Sequence, residues 1–505
     1  MKSTMKNRAI EEIVSEILKG REDVERIKKE VALRFGLLSM PKNSEILANF
    51  PKEKLTRKIK KILFRKPSRT ASGVTPIALM VKPEGSCRWG CVYCPYTGKA
   101  PKSYTGEEPA ALRARRAEFD PTAQIKNRLK QYEIQGHPTD KCEIIIMGGT
   151  FLEMDRKYKE GFVKSIYDAL NGKKSKNIPH AKLLNESARH RVVGLTVETR
   201  PDVCVPYIPE ILRFGATRVE LGVQNPDDGI YRMINRGHGV KEVVESTRAL
   251  KDACFKIVYH IMLGLPGSSP KKDIEIFKTL FTDERFQPDM LKIYPTLVIP
   301  GTQLYRMYCR REYVPYSSEL AAEIIAEAYK HIPEYVRVMR IQRDIPANLV
   351  YDGVKKSNLR EMVERKAKEL GKVWEIRARE PRAKNIPPKN LVLFRRDYRA
   401  SGKKEIFLSY EDENRENIFG FLRLRISDVG LIRELHVYGS EAEIGKSGKI
   451  QHRGIGKKLV EEAERLVKEE FGLNRMRVIS GAGARPYYYS LGYTLKEPYV
   501  EKFLM

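Results

Sequence analysis

Cysteine is scarce in this chain: seven in 505 residues, an odd number at low density, which argues against a disulfide framework. No run of about eighteen apolar residues occurs, so no membrane-spanning helix is expected. The opening MKSTMKNRAIEEIV carries charge but no apolar core of the kind a secretory leader needs, and a cytoplasmic protein is expected. Internal repeats and low-complexity tracts are missing. Acidic side chains are in short supply, 65 against 94 basic ones, for a net charge of +29. That excess suits a polyanion, because Lys and Arg on phosphates release condensed counterions. The plainer reading is charge kept for solubility or for a hot or salty habitat.

What is present suffices for several cores. Hydrophobic residues make up 41% of the chain, and the length suits roughly two to four domains. Residues 1–72 read as a basic helical segment, with Ile10, Ile13, Ile17 and Leu18 at helical spacing. The stretch 51–70 holds nine Lys or Arg and one acid, which favours a phosphate partner over a merely solvated face. Over 73–345, apolar β-rich runs at 74–81, 142–148, 191–198, 218–223, 256–264 and 290–296 alternate with helical stretches. That alternation predicts an α/β unit with a parallel sheet, open or curled into a partial barrel, whose ligands collect at the C-terminal strand ends. Residues 346–388, rich in Pro and charge, read as a connecting segment. From 389 to 505, strand candidates, one long helix and further strands predict an α+β domain.

Three of the seven cysteines, Cys87, Cys91 and Cys94, fall within eight residues as C-x3-C-x2-C after the first strand. Three thiolates can hold three irons of a cubane and leave the fourth open, where S-adenosylmethionine (SAM) can chelate. Structural zinc takes four ligands, and no second Cys/His pair lies nearby; haem attachment needs a His where Pro95 stands; a redox pair needs no third Cys. Gly148, Gly149 and Thr150 end the second strand, where glycine lets a backbone edge approach the methionine part of SAM. Glu198, Arg200 and Gln224 stand at or near the ends of the next two strands. They either bind the ribose or carboxylate of SAM or satisfy backbone groups.

In the last domain, Gln451-His452-Arg453-Gly454-Ile455-Gly456-Lys457 opens the long helix. Free N–H groups at a helix start suit a pyrophosphate, and glycine permits close approach. The pattern resembles the acetyl-CoA loop of GNAT acetyltransferases. In that family the strand before the loop, here Glu434 to Val437, pairs with the pantetheine amides. Tyr487 or Tyr488 could bring a phenol near the thioester sulfur, against core packing as the bland reading. Glu434 is either a general base or a strand-edge carboxylate.

The two halves together resemble one family, the tRNA uridine acetyltransferases that include the catalytic subunit of Elongator. The resemblance runs in order through KPSRTASGV (66–74), CVYCP (91–95), SYTGEEPA (103–110), MGGTF (147–151), LTVETRPD (195–202), RVELGVQ (218–224), NRGH (235–238), LKIYPTLVIPGT (291–302), RELHVYGS (433–440), QHRGIG (451–456) and ISGAGARPYYYSLGY (479–493). It implies a partial (βα)6 barrel of TIM type with radical SAM chemistry, followed by a GNAT domain. It implies a [4Fe-4S] cluster on Cys87, Cys91 and Cys94, SAM and acetyl-CoA as cofactors, and a tRNA anticodon stem-loop as partner. The implied reaction adds an acetyl-derived carboxymethyl group to C5 of the wobble uridine. Matching positions place Lys141, Glu434, Leu435, His436, Val437, Ile455, Gly456, Lys457 and Tyr488 along acetyl-CoA, and Lys292, on the last barrel strand, in a cleft shared by the two sites. Further Elongator-type subunits or a second copy of the chain are the other partners it suggests, and residues 1–72 become a tRNA-binding segment. Many relatives carry a Cys group in the connecting segment; here 373–379 has none, so no zinc is expected there. The alternative is a protein lysine acetyltransferase whose iron–sulfur domain is only structural.

Overall fold

The computed structural model describes residues 2–37, 39–56, 59, 62–63, 73–84, 87–149, 151–381, 390–438 and 454–505. Helices α1 (Lys2–Leu18), α2 (Val24–Arg34) and α3 (Asn43–Ala48) pack on their own small core of Ile10, Ile13, Ile17, Ile27, Val31 and Ile46. Most of the basic run that follows, Lys58, Lys60 and Lys61 included, lies outside the described residues.

Seven parallel strands then form one sheet in sequence order: β1 (Thr75–Met80), β2 (Lys141–Met147), β3 (Arg191–Thr199), β4 (Arg218–Gln224), β5 (Lys256–Leu263), β6 (Met290–Pro295) and β7 (Arg337–Ile341). All six residues of β6 are buried, as expected where both faces are covered. Helix starts are written in the sequence. Asp120 precedes Pro121 and accepts from the Ala123 N–H at 2.6 Å; Ser269 precedes Pro270 and accepts from the Lys272 N–H at 3.3 Å.

Six of these strands coincide with the apolar runs. The seventh does not, because Arg337 and Arg340 dilute a five-residue strand whose apolar positions alone are buried. Lys292 therefore stands on the sixth strand and not, as expected, on the last. The connecting segment also carries more structure than its composition suggests. Helix Leu359–Glu369 buries Leu359, Val363 and Ala367 against the barrel, and Ile376 is fully buried. Its tail, 382–389, lies outside the described residues.

The C-terminal sheet runs β13-β14-β12-β11-β10-β9-β8, from β8 (Val392–Ala400), β9 (Lys403–Glu411), β10 (Ile418–Ile426), β11 (Gly430–Val437), β12 (Arg475–Val478), β13 (Thr494–Lys496) and β14 (Tyr499–Phe503). Helix Ile455–Arg465 packs across it through Ile455, Leu459, Val460 and Ala463. Strands β11 and β12 are parallel, but pairing stops after Ile432↔Val478. From Arg433 to Val437, β11 keeps β10 on one side, and among the described residues no strand pairs with its other edge.

This sheet docks against the N-terminal ends of the barrel strands. A Cβ on Gly481 would stand 2.4 Å from the Val193 carbonyl oxygen, and one on Gly483 would stand 2.3 Å from the Arg191 Cβ, so only glycine admits the approach of this loop to β3. Arg433 donates to Asp289 and to the Phe255 carbonyl at 2.9 Å, just ahead of β6 and β5. Phe407, Phe421, Leu431, Tyr438 and Ile479 join the barrel residues in one hydrophobic cluster. Among the described residues, no helix is long and apolar enough to cross a membrane.

Candidate active site

The cysteine loop lies over the C-terminal mouth of the barrel. Trp89 pins it: the indole Nε1 donates to Asp202 at 3.3 Å, and the ring lies where a Cβ on Gly237 would meet it at 2.0 Å. Lys102 Nζ donates to the Cys87 carbonyl at 2.6 Å. Cys87, Cys91 and Cys94 line one cavity with Gly149, Glu198, Arg200, Gln224 and Lys292.

Two buried arginines aim at the sulfurs. Arg236 Nη1 stands 3.6 Å from Cys91 Sγ, and Arg200 Nη1 stands 3.9 Å from Cys87 Sγ. Arg200 is itself fixed by Asp202 at 2.9 Å and by the Arg236 carbonyl at 2.8 Å. Burial, helped by Cys91, pushes the Cys94 thiol up to about 11, so a metal centre has to compensate its thiolate. Three sulfurs on one cavity wall, with no fourth cysteine among its lining residues, fit three corners of a [4Fe-4S] cluster better than a structural zinc, which takes four ligands.

Deeper in the same cavity the lumen is polar. Lys292 Nζ donates to Glu220 and stands 3.9 Å from Glu198 Oε1. His260 Nε2 lies 2.8 Å from Glu220 Oε2, and the Tyr104 hydroxyl donates to Glu198 at 2.7 Å. Burial opposes the charge on Glu220, but Lys292 and then His260 hold its carboxyl well below the ordinary range. Burial opposes the Lys292 ammonium likewise, and Glu220 outweighs it, leaving Lys292 above its usual value. The Glu198, Glu220 and His260 ligand atoms come within 4.8 Å of one another, and the Lys292 ammonium fills the cation's place among them.

The two glycines after β2 serve different ends. Gly148, at φ +134°, donates its N–H to Glu198 at 3.3 Å, and a Cβ there would strike Val81 at 2.7 Å, so its need is packing. Gly149 lines the cavity, and a Cβ there would meet nothing within 4 Å. Gln224 turns in at φ +68°. Thr150 lies outside the described residues.

A second cavity opens at the other end of the lumen, between the domains. The unpaired β11 edge, Glu434 to Val437, lines it with Lys141, Glu143, Arg218 and Lys256 from the barrel. A strand edge with free N–H and C=O groups offers the pairing a pantetheine arm needs. Glu434 accepts from Arg423 Nε at 2.8 Å; burial opposes its charge, yet Arg423 and Lys256 keep it below the ordinary carboxylate range. An anion held this way fits a strand-edge carboxylate better than a general base. The His436 ring stacks on Phe421 with centroids 5.8 Å apart, and burial lowers its basicity.

Gly454 caps the long helix at φ +82°, and a Cβ on Gly456 would come 2.8 Å from the Tyr487 hydroxyl, which places that phenol beside the first helical turn. Ile455 is buried in the core, and Lys457 is exposed, 3.6 Å from Glu461. Tyr488 packs inside the domain against Tyr493, with centroids 5.8 Å apart. Neither tyrosine lines the interdomain cavity, whereas Ala484 just before their helix does. Gln451 lies outside the described residues.

No role was read from the sequence for Glu143, Arg218, Glu220, Arg236 or His260. For all but Arg236, which lies in the loop after helix Asp228–Met233, a signal existed, since charged or imidazole side chains recur inside otherwise apolar strands. Only the register, with His260 opposite Lys292 and Glu198 opposite Glu220, shows that they share one lumen.

A cysteine-lined barrel mouth joined to a splayed strand edge before a glycine-capped helix defines a radical SAM domain fused to an acetyltransferase. Residues 82–280 match the Radical SAM superfamily, 288–369 its Radical_SAM C-terminal domain, 370–493 the Acetyltransferase (GNAT) family and 6–71 the ELP3 N-terminal domain. The tRNA uridine(34) acetyltransferase of Methanocaldococcus jannaschii is 45% identical over 98% of this chain and 97% of its own length. That of Dehalococcoides mccartyi is 46% identical over 87% of this chain and 100% of its own. Human Elongator complex protein 3 is 39% identical over 98% of this chain and 96% of its own. The solved structure of Methanocaldococcus infernus Elp3 lacking residues 1–46 matches with TM-score 0.76 and 42% identity, over 86% of this chain and 100% of that one. The chain belongs to the family of tRNA uridine(34) acetyltransferases and Elongator complex protein 3. Its cofactors are a [4Fe-4S] cluster, SAM and acetyl-CoA.

Proposed function

We propose that this protein is a tRNA-modifying acyltransferase that adds an acetyl-derived carboxymethyl group to C5 of the wobble uridine. One observation carries the reading: the cysteine cavity and the unpaired β11 edge open onto the two ends of a single barrel lumen. Cys87, Cys91 and Cys94 hold the cluster, with Gly149, Glu198, Arg200 and Gln224 around SAM. The cluster and SAM supply a 5′-deoxyadenosyl radical able to take hydrogen from an acetyl methyl group.

The chain's own residues do the rest. Lys292, pinned by Glu220, sets a fixed positive charge facing the substrate. Glu434 to Val437 offer backbone partners to the pantetheine, and Lys141 stands at the rim. Gly454, Ile455, Gly456 and Lys457 present the helix start to the pyrophosphate, with Gln451 just ahead of it in sequence as a further acetyl-CoA ligand. Water then hydrolyses the thioester to leave the carboxymethyl group, and Tyr487, beside that first turn, is the better placed phenol to protonate the departing thiolate, with Tyr488 supporting it from the core. The excess of 29 positive charges suits the phosphates of an anticodon stem-loop, with residues 1–72 as the tRNA-binding segment. Unpaired loop nucleotides leave their stack cheaply, as chemistry on a base requires. The cytoplasm is the compartment this chemistry fits. Partners beyond tRNA are Elongator-type subunits or a second copy of the chain, which sedimentation of the purified protein distinguishes.

The test uses reduced, reconstituted protein with SAM, acetyl-CoA and tRNA, followed by mass spectrometry. The expected products are 5′-deoxyadenosine and carboxymethylated uridine. Acetyl-lysine with neither product would replace the reading with a protein acetyltransferase.

A further inference from the structure

The proposed reaction requires the acetyl methyl and the radical carbon to come within roughly 3–3.5 Å of each other. In the structure a wall stands between their cavities. Arg218 lines the interdomain cavity and Glu220, two residues on along β4, lines the cysteine cavity; Met290 and Lys292 on β6 divide in the same way. Two residues of strand span about 6.6 Å, so the partition is one layer of side chains thick.

Arg218 belongs to that layer and is only half engaged. Its Nη1 donates to Glu143 Oε1 at 2.6 Å, on the thioester side. Its Nε stands 3.8 Å from Glu220 Oε1, on the radical side, too far for a hydrogen bond. Nε and Nη2 of Arg218 and Oε1 of Glu220 are buried without hydrogen-bond partners. Unfilled donors therefore face an unfilled acceptor across the partition. Such an arrangement is poorly satisfied as it stands, and a shift of about 1 Å would make the bond. The neighbours are firmer: Lys292 is bonded to Glu220, and Glu220 also to His260.

We propose that Arg218 is the movable partition between the thioester cavity and the cysteine cavity. Leaving Glu143 for Glu220 clears the thioester side of the layer, so that the acyl group reaches further along the lumen, and completes the open Glu220 acceptor. Arg218 is thus a positioning residue, which fixes how far an acyl group reaches along the lumen. This rests on acetyl-CoA occupying the interdomain cavity, as read above.

The partition can be tested by binding alone. The full-length chain with its cluster reconstituted and SAM omitted is titrated calorimetrically with acetyl-, butyryl- and hexanoyl-CoA. The readout is the ratio of acetyl- to longer-chain affinity, because general damage to the fold weakens all three alike. Wild type is expected to bind butyryl-CoA at least 10-fold more weakly than acetyl-CoA. R218S, which vacates the lumen, should reduce that ratio below 2-fold, and R218K should keep it. E143Q preserves every side-chain volume but removes the charge that holds Arg218, and should lower the ratio at least 3-fold even if R218S does not fold. Ratios in R218S and E143Q equal to wild type overturn the partition while leaving the proposed function intact. Wild-type protein that binds no acyl-CoA overturns the proposed function itself.

Discussion

Arg433 of the acetyltransferase sheet donates to both carboxylate oxygens of Asp289, at 2.6 and 2.7 Å, and both side chains are fully buried at the seam with the barrel. Glu405 accepts from the same guanidinium at 2.8 Å and from Arg425 at 3.0 Å. Charges so placed fix the angle between the two domains, because every alternative docking would strand one of them away from water. D289A leaves Arg433 short of its main partner, and breaking a buried pair costs about 3–5 kcal/mol. Calorimetric unfolding should show a fall of that order, and a change below about 1 kcal/mol would mean that the seam relaxes or hydrates.

Lys251 sits in the same seam with 3.7 Å to both Asp289 and Glu405 and no hydrogen-bond partner. Burial, reinforced by Arg433, lowers it to about 8 against the pull of Asp289 and Glu405. An unfolded chain holds the lysine proton up to about 10.4. Between these values the unfolded state binds more protons, so this group makes stability rise with pH from about 8 to about 10.4. Denaturant midpoints over that window should rise in wild type, and K251M should flatten the rise. An equal slope in both proteins would assign the dependence elsewhere.

Gly481 and Gly483 hold the acetyltransferase loop against β3 at distances no side chain tolerates. G483V forces the strand or the loop to move, and overpacking of this kind costs about 1–3 kcal/mol. The expected result is a lower melting temperature together with new proteolytic cuts at the seam between the domains as they part. Unchanged cutting would show that the loop moves alone.

Gly237 gives its face to Trp89, the anchor of the cysteine loop. G237A should displace the indole, loosen the loop and lower the iron retained per chain after anaerobic reconstitution, with acetyl-CoA binding preserved. Full iron content in this variant would place the anchoring on Asp202 and Lys102 instead.

Reversing charge at Lys58, Lys60 and Lys61 should weaken tRNA binding and flatten the plot of log affinity against log salt. Loss of three phosphate contacts, at about 0.7 per contact for single strands, changes the slope by about 2. Equal affinity and slope would remove this segment from the RNA surface.

Much of the site was legible in linear order. The C-x3-C-x2-C spacing depends on neighbours along the chain, and the structure gathers Cys87, Cys91 and Cys94 at one cavity. Six of the barrel strands announce themselves as apolar runs, since burial on both faces leaves little choice of residue. Strand β7 escapes because its arginines serve the lumen and the domain seam rather than its own core: Arg337 donates to Tyr438 across the seam at 2.6 Å. Tyr487 and Tyr488 read alike in sequence, and a difference of one residue along a short helix sends one phenol to the Gly456 turn and the other into the core.

By itself the sequence determined the two chemistries, because metal ligation and a helix-start anion site are local patterns that a few consecutive residues specify. Tertiary structure alone decided how they meet. The opposition of Arg218 to Glu143 joins residues 75 positions apart, and that of Arg433 to Asp289 joins residues 144 apart. Buried charge is stable only when its partner arrives from elsewhere in the chain, so such pairs depend on the register of sheets and the docking of domains rather than on any local spacing.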